Sequence, residues 1–217
     1  MSGAEVAGAD PSLRPHVFLP AGAEAAGPPL LLLHGTGGSE HDLLPLRDLL
    51  SPGAAVLSPR GSVLESGMPR WFERLAEGVF DEDDLSRRAD ELAAFVAHAS
   101  SRYGLPPRSL VVVGFSNGSN IASAMMLRHP DLLAGALLVA AMLPYVDPPE
   151  ADLAGLPVLV SNGDRDPMIP GAMTAELERQ LRAREAVVTD LGHPGGHQLD
   201  RGSLDRAAVV LRGIARR

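Results

Sequence analysis

One short stretch, VVVGFSNG at residues 111–118, constrains the fold more than any other part of the sequence. Three valines run directly into a Gly-x-Ser-x-Gly motif, and a helical pattern follows over residues 119–128. This order predicts a strand, a sharp turn and a helix, with Ser116 standing clear of the backbone at the turn. A tight turn that happens to carry a serine would match the same motif. The interpretation therefore depends on whether the partners of a reactive serine follow in the right order.

The residues around Ser116 suit a nucleophile. Only small residues fit at Gly114 and Gly118, because the strand and the helix crowd the turn from both sides. The amide of Asn117 begins the helix and would point to where an oxyanion forms. We therefore take Ser116 as the candidate nucleophile and the Asn117 amide as a candidate oxyanion donor.

Short apolar segments alternate with helical patterns along the rest of the chain. Strands are predicted at residues 16–19, 30–33, 54–57, 136–139, 157–160 and 186–191, and helices at residues 43–50, 85–102, 172–184 and 203–216. This alternation predicts one α/β domain over residues 15–217, with a mainly parallel, doubly wound sheet and helices on both faces. Residues 60–84 have no clean period and are expected to form a long loop. Residues 1–14 are expected to be a disordered tail.

Composition excludes several kinds of chemistry. The chain has no cysteine, so it has no disulfide, no thiolate nucleophile and no cysteine-based metal site. All 19 basic residues are arginine, which removes a Schiff-base lysine and a P-loop lysine. A net charge of −8 argues against binding to nucleic acid or to an anionic membrane surface. We see no signal peptide, membrane span or metal-binding spacing, so we expect a cytoplasmic protein without a metal or cofactor.

A general base and an acid to orient it should follow the serine in the chain. His193 and His197 both come after the last predicted strand, and the two glycines before His197 would let its ring reach Ser116. The geometry that a general base needs favours His197 over His193. Asp164 and Asp166 compete for the orienting role, and either could be an ordinary turn aspartate. The order Ser, Asp, His along the chain is that of α/β-hydrolases.

The sequence HGTGG at residues 34–38 follows an early strand and opens a helical pattern. Its glycines allow the backbone to approach a ligand closely, so the segment could bind phosphate. Without a lysine, and with the serine turn present, an oxyanion loop is the better interpretation. His34 is expected to brace this loop rather than to act in catalysis.

Four motifs together resemble the phospholipase/carboxylesterase family of α/β-hydrolases. They are LLLHGTGG at residues 31–38, GFSNG at 114–118, GDRDPMIP at 163–170 and GGH at 195–197. The resemblance runs from about residue 16 to the C-terminus. It implies a triad of Ser116, Asp166 and His197, and an oxyanion hole formed by the amides of Thr36 and Asn117. It therefore selects Asp166 over Asp164.

This family includes bacterial carboxylesterases and acyl-protein thioesterases. The thioesterases usually carry Gln after the nucleophile and Leu in the His-Gly loop, where this chain has Asn117 and Thr36. These departures favour the bacterial carboxylesterase branch. Members are often dimers, so a homodimer is an expectation that the resemblance alone carries.

The substrate pocket is expected to be apolar. Residues 60–84 concentrate aromatic side chains in a chain that has 4% of them, so this segment is predicted to form one wall of an acyl pocket. The predicted substrate-binding residues are Gly35, Trp71, Phe72, Met142, Met168 and Ile169. The alternative is that Trp71 and Phe72 simply bury the segment against the core.

The predicted activity is hydrolysis of small or medium acyl esters by a serine carboxylesterase. The same site could serve a thioesterase or a lysophospholipase. A hydrolase fold that only binds a ligand would require a missing triad member, and the sequence contains all three.

Overall fold

The computed structural model describes residues 14–214, and a seven-stranded sheet lies at its centre. With strands numbered along the chain, the order across the sheet is β1 (His16–Leu19), β3 (Val56–Pro59), β2 (Leu30–Leu33), β8 (Leu110–Phe115), β9 (Leu133–Val139), β10 (Pro157–Ser161) and β11 (Val187–Asp190). Strand β1 is antiparallel to β3, and every other neighbouring pair is parallel. The predicted mainly parallel sheet is confirmed.

Helices cover both faces of this sheet. They are α1 (Leu46–Leu50), α2 (Glu82–Tyr103), α3 (Asn117–Arg128), α4 (Gly171–Arg182) and α5 (Arg201–Ile214). One apolar core packs α2, α3 and α4 against the sheet, and a second packs α1 and α5 against the opposite face. All four residues of β2 are buried, as expected for a strand covered on both sides.

Several element boundaries differ from the predictions. Helix α2 begins at Glu82 rather than at residue 85, because the Asp81 carboxylate caps it by accepting the Asp84 N–H at 3.0 Å. Strand β9 begins directly after a short 3-10 helix (Pro130–Leu132), three residues before its predicted start. The predicted tail lies outside the described residues except for Arg14, and the last two residues of the predicted C-terminal helix also lie outside them.

The predicted long loop at residues 60–84 is wrong, because this segment folds into two β-hairpins. The first pairs β4 (Val63–Glu65) with β5 (Met68–Arg70), and the second pairs β6 (Arg74–Ala76) with β7 (Val79–Phe80). Gly67 and Gly78 turn the hairpins with φ of 80° and 73°, a conformation that favours glycine. Strands of two or three residues are too short to produce a recognisable alternation, which explains the error. We call residues 60–80 the hairpin segment.

The described part of the chain contains no helix that combines the length and the apolar character needed to cross a membrane.

Candidate active site

Ser116 occupies the sharp turn between β8 and α3. Its backbone has φ 54° and ψ −118°, a strained conformation for a residue with a side chain. The turn is held on both sides, because the Ser116 N–H donates to the Val139 carbonyl at 2.9 Å and the Ser119 N–H donates to the Ser116 carbonyl at 2.8 Å. The predicted strand, turn and helix are therefore present, with Ser116 at the turn.

The two glycines of the motif are required by close backbone contacts. A methyl group on Gly118 would lie 2.0 Å from the Leu33 carbonyl oxygen, and one on Gly114 would lie 2.6 Å from the Gly118 carbonyl oxygen. Both distances are far below van der Waals contact. The start of α3 can therefore pack against β2 and β8 only if both positions lack a side chain.

The structure brings Ser116, His197 and Asp166 into one chain of hydrogen bonds. His197 Nε2 lies 2.8 Å from Ser116 Oγ, and His197 Nδ1 lies 2.7 Å from Asp166 Oδ2. Asp166 is buried, and its Oδ1 accepts the Met168 N–H at 2.8 Å, so its orientation is fixed. Phe115 packs near the imidazole, with ring centroids 5.6 Å apart.

The loops that carry Asp166 and His197 are joined to each other. Gly163 and His193 form a parallel bridge beyond the ends of β10 and β11, and the Arg165 N–H donates to the Gly195 carbonyl at 2.9 Å. These contacts hold Asp166 and His197 at the carboxyl ends of adjacent strands, where parallel sheets bind their ligands.

Asp164 and His193, the alternative candidates for the acid and the base, lie outside this chain of hydrogen bonds. Asp164 is exposed and forms no side-chain hydrogen bond to either histidine among the described residues. His193 is buried, and its Nδ1 accepts the Gly195 N–H at 3.1 Å, so it supports the loop before His197.

The amides of Thr36 and Asn117 both belong to residues that line the cavity beside Ser116. Within residues 14–214, neither N–H donates a hydrogen bond to a backbone carbonyl. Asn117 is also the first residue of α3, where the helix leaves its N–H groups unpaired. Both amides are therefore available to an oxyanion.

His34 braces the loop that carries Thr36. Its Nδ1 lies 2.7 Å from the Gly35 carbonyl oxygen, and its Nε2 accepts the Gly61 N–H at 3.0 Å. These partners require a neutral imidazole with its proton on Nδ1. Burial lowers the pKa of His34 and so favours that neutral form.

The hairpin segment contacts the residues expected to form the oxyanion hole, in part through Trp71. The Trp71 indole N–H donates to the His34 carbonyl at 2.7 Å, and the Trp71 backbone N–H donates to Asn117 Oδ1 at 2.9 Å. Next to it, Arg70 Nη1 donates to Thr36 Oγ1 at 3.1 Å. The end of β5 and the residue after it therefore contact both Thr36 and Asn117, the two residues expected to form the oxyanion hole.

The cavity beside Ser116 has a volume of about 320 Å³. Of the six predicted substrate-binding residues, Gly35, Met142 and Met168 line the cavity, whereas Trp71, Phe72 and Ile169 do not. Trp71 and Phe72 are 1% and 0% exposed, because their rings belong to the core under the hairpin segment. The prediction that they line the acyl pocket is corrected accordingly. Ile169 packs in a small buried cluster that also contains Met142.

Sequence reasoning missed other lining residues. They are Arg70, Arg74, Glu77, Phe115 and Asn120, whereas Phe80 lines the cavity from the segment predicted to form one wall. Phe115 and Asn120 flank Ser116 in the sequence, and this proximity was a usable signal. The charged residues lie on the hairpin segment, whose fold the periodicity did not reveal.

No group of three or more His, Asp or Glu side chains within residues 14–214 is arranged to hold a metal ion.

The fold and the serine turn define the class of protein. A mainly parallel sheet covered on both faces, with a serine turn after its central strand β8, is the architecture of an α/β-hydrolase. The family model described as Phospholipase/Carboxylesterase matches residues 15–212. The chain belongs to the phospholipase/carboxylesterase family and is a hydrolase of the carboxylesterase type.

Individual relatives agree with this assignment. A Bacillus subtilis (strain 168) protein named as a hydrolase, MhqD, is 45% identical over 178 residues, which cover 82% of this chain and 89% of that protein. The crystal structure of a Bacillus cereus carboxylesterase is 42% identical with a TM-score of 0.89, covering 94% of this chain and 95% of the other. A carboxylesterase from Mesorhizobium loti is 32% identical with a TM-score of 0.82, covering 92% and 93%. The predicted family and fold are confirmed.

Proposed function

We propose that the protein hydrolyses carboxylic esters of small or medium acyl groups through an acyl-enzyme intermediate on Ser116. The observation that carries the proposal is the unbroken chain of hydrogen bonds from Ser116 Oγ through His197 to Asp166, at 2.8 and 2.7 Å. This is the arrangement that nucleophilic catalysis by serine requires.

In the first half of the reaction, Ser116 Oγ attacks the ester carbonyl while His197 Nε2 takes its proton. The oxygen of the tetrahedral intermediate accepts hydrogen bonds from the Thr36 and Asn117 amides. His197 then returns the proton to the leaving alcohol as the bond between carbonyl carbon and alkoxy oxygen breaks, which leaves an acyl group on Ser116. Asp166 holds the imidazole in the required tautomer and stabilises its protonated form.

In the second half, water attacks the acyl-enzyme carbonyl while His197 takes a proton from it. Collapse of the second intermediate breaks the bond to Ser116 Oγ, and His197 returns the proton to that oxygen. The products are one carboxylic acid and one alcohol. A cavity of about 320 Å³ lies at the small end of the range for ligand pockets, which supports a short acyl group.

The test is Ser116→Ala, which should lower kcat for ester hydrolysis on the order of a millionfold. An organophosphonate should label the wild type at Ser116 and leave the variant unlabelled. Ser101→Ala, at an exposed position of α2, is the matched control and should keep full activity. Labelling at another serine, or wild-type turnover by Ser116→Ala, would refute the proposal.

A thioesterase would use the same residues. Oxyesters and thioesters with the same acyl group, compared by kcat/KM across acyl lengths, separate the two activities. A thioester preference at every length would replace the esterase assignment.

A further inference from the structure

Two asparagines in the cavity wall have their oxygen atoms already engaged. Asn117 Oδ1 accepts the Trp71 N–H at 2.9 Å, and Asn120 Oδ1 accepts the Met142 N–H at 2.9 Å. In each side-chain amide, the group left to bind a ligand is therefore the NH₂ group, which is a hydrogen-bond donor. Asn117 Nδ2 is buried and has no hydrogen-bond partner among the described residues. An unpaired buried donor is costly, so an acceptor that reached this nitrogen would be stabilised by it.

Thr36 adds a third donor to the same wall. Its Oγ1 accepts a hydrogen bond from Arg70 at 3.1 Å, so the hydroxyl hydrogen remains free to donate. The uncharged side chains of Thr36, Asn117 and Asn120 thus offer hydrogen atoms rather than lone pairs to a ligand.

Two arginines complete this wall, and they share a carboxylate. Glu65 lies 3.2 Å from Arg70 Nη1 and 2.9 Å from Arg74 Nε. The Arg70 side chain is 4% exposed, and burial lowers the pKa of its guanidinium, so its charge is poorly solvated. A second anion near Arg70 would compensate for the hydration that its guanidinium loses on burial.

The acidic side chain in the described cavity wall is Glu77, which is 62% exposed and pairs with Arg74. An exposed pair of this kind is weak, because solvent and salt screen it. A ligand carboxylate held by several donors could therefore compete with Glu77 for Arg74.

We propose that the preferred substrates are half-esters of short dicarboxylic acids, whose free carboxylate binds Arg74 and Arg70 while the ester carbonyl lies at Ser116. This inference rests on the proposed esterase function and names its substrate class. Hydrolysis then follows the two steps given above and yields a dicarboxylic acid and an alcohol. The apolar part of the cavity, formed by Phe80, Phe115 and Met142, packs against the methylene groups between the two carboxyl carbons.

The experiment compares two esters of nearly equal size and shape. Monoethyl succinate carries the carboxylate, and ethyl succinamate carries an uncharged amide in its place. Charge-assisted hydrogen bonds are about twice as strong as neutral ones, so we expect kcat/KM to favour monoethyl succinate by about tenfold or more. The preference should shrink as salt is raised, because salt screens the partly exposed arginine.

Variants identify the residue responsible. Arg74→Gln should reduce the ratio of the two kcat/KM values towards one, and Glu77→Gln should increase it by removing one of the two carboxylates that pair with Arg74. Arg87→Gln is the matched control: Arg87 lies on α2 and pairs with Asp84 and Glu91 outside the cavity, so the ratio should not change. Circular dichroism checks that each variant is folded.

Failure of this inference is distinguishable from failure of the proposed function. If both esters are hydrolysed with equal kcat/KM, or if Arg74→Gln leaves the preference intact, the carboxylate subsite is refuted and the esterase stands. If neither ester is hydrolysed, calorimetric binding of both compounds to Ser116→Ala protein still decides the inference. Tighter binding of monoethyl succinate that is lost in Ser116→Ala/Arg74→Gln supports it, and equal binding overturns it.

Discussion

Replacing Trp71 with Phe isolates one hydrogen bond of the expected oxyanion loop. The variant keeps a large apolar ring and the backbone N–H that donates to Asn117 Oδ1, but it loses the indole N–H that donates to the His34 carbonyl at 2.7 Å. That carbonyl lies two residues before Thr36, whose amide is an expected oxyanion donor. The substitution should therefore affect both stability and the chemical step.

The size of the stability effect follows from two losses. A buried carbonyl left without its donor costs about 1–3 kcal/mol. The smaller ring leaves a gap of roughly 40 Å³, which at about 24 cal/mol per Å³ costs about 1 kcal/mol. We expect the free energy of unfolding to fall by about 2–4 kcal/mol in total, which corresponds to a drop in Tm of about 4–16 °C for a chain of this size.

The expected effect on catalysis is smaller than the loss of an oxyanion donor. Removal of one such donor costs about 10²–10³ in kcat. Trp71→Phe keeps the Thr36 amide and only loosens the loop that positions it, so kcat should fall about tenfold with little change in KM.

Urea unfolding and steady-state ester hydrolysis measure the two effects. Phe95→Leu is the control: Phe95 is a similarly buried ring, on α2 and outside the cavity wall, so stability should fall while kcat is retained. A Trp71→Phe protein with wild-type stability and kcat but altered selectivity for acyl length would refute the bracing role. It would instead support the acyl-pocket role that the aromatic content of residues 60–84 predicted.

Three further predictions concern the acid, the loop histidine and the serine turn. Asp166→Asn should lower kcat by about ten-thousandfold, whereas Asp164→Asn, at an exposed position, should keep most activity; equal losses would contradict the assignment of the acid. Burial lowers the pKa of His34 in the folded protein, so as the pH falls below about 6.5 this histidine takes up a proton in the unfolded chain before it does so in the folded protein. The free energy of unfolding should therefore fall by up to about 1.4 kcal/mol for each unit by which the pH is lowered. Urea titrations between about pH 5 and 8 should show a smaller slope for His34→Gln, and an unchanged slope would exclude this histidine as the source. Gly118→Ala should yield no soluble folded protein, because its methyl group would lie 2.0 Å from a carbonyl oxygen of β2, whereas Gly213→Ala has open space and should fold normally.

The sequence predicts those parts of the fold in which burial imposes a repeated pattern of apolar residues. Parallel strands are buried on both faces, so they appear as continuous apolar runs such as residues 30–33, and helix α2 carries one apolar face over six turns. The hairpin segment has no repeated apolar pattern of this kind. Its strands have two or three residues, and its turns depend on positive φ at Gly67 and Gly78.

The same contrast explains what could be predicted of the site. Ser116, Asp166 and His197 follow strands whose carboxyl ends meet at one edge of the sheet, so motif and chain order were enough to suggest their proximity. Trp71 gave an equally strong signal, but a large aromatic residue suits a pocket wall and a buried brace alike. Its hydrogen-bond partners decide between them, because the indole N–H and the backbone N–H both bond to residues of the expected oxyanion hole or its loop. Those partners are 37 and 46 positions away in the sequence, and only the fold of the hairpin segment brings them into contact. The residues that shape specificity, Arg70 and Arg74, depend on that same segment, so the substrate class follows from the three-dimensional structure rather than from any motif.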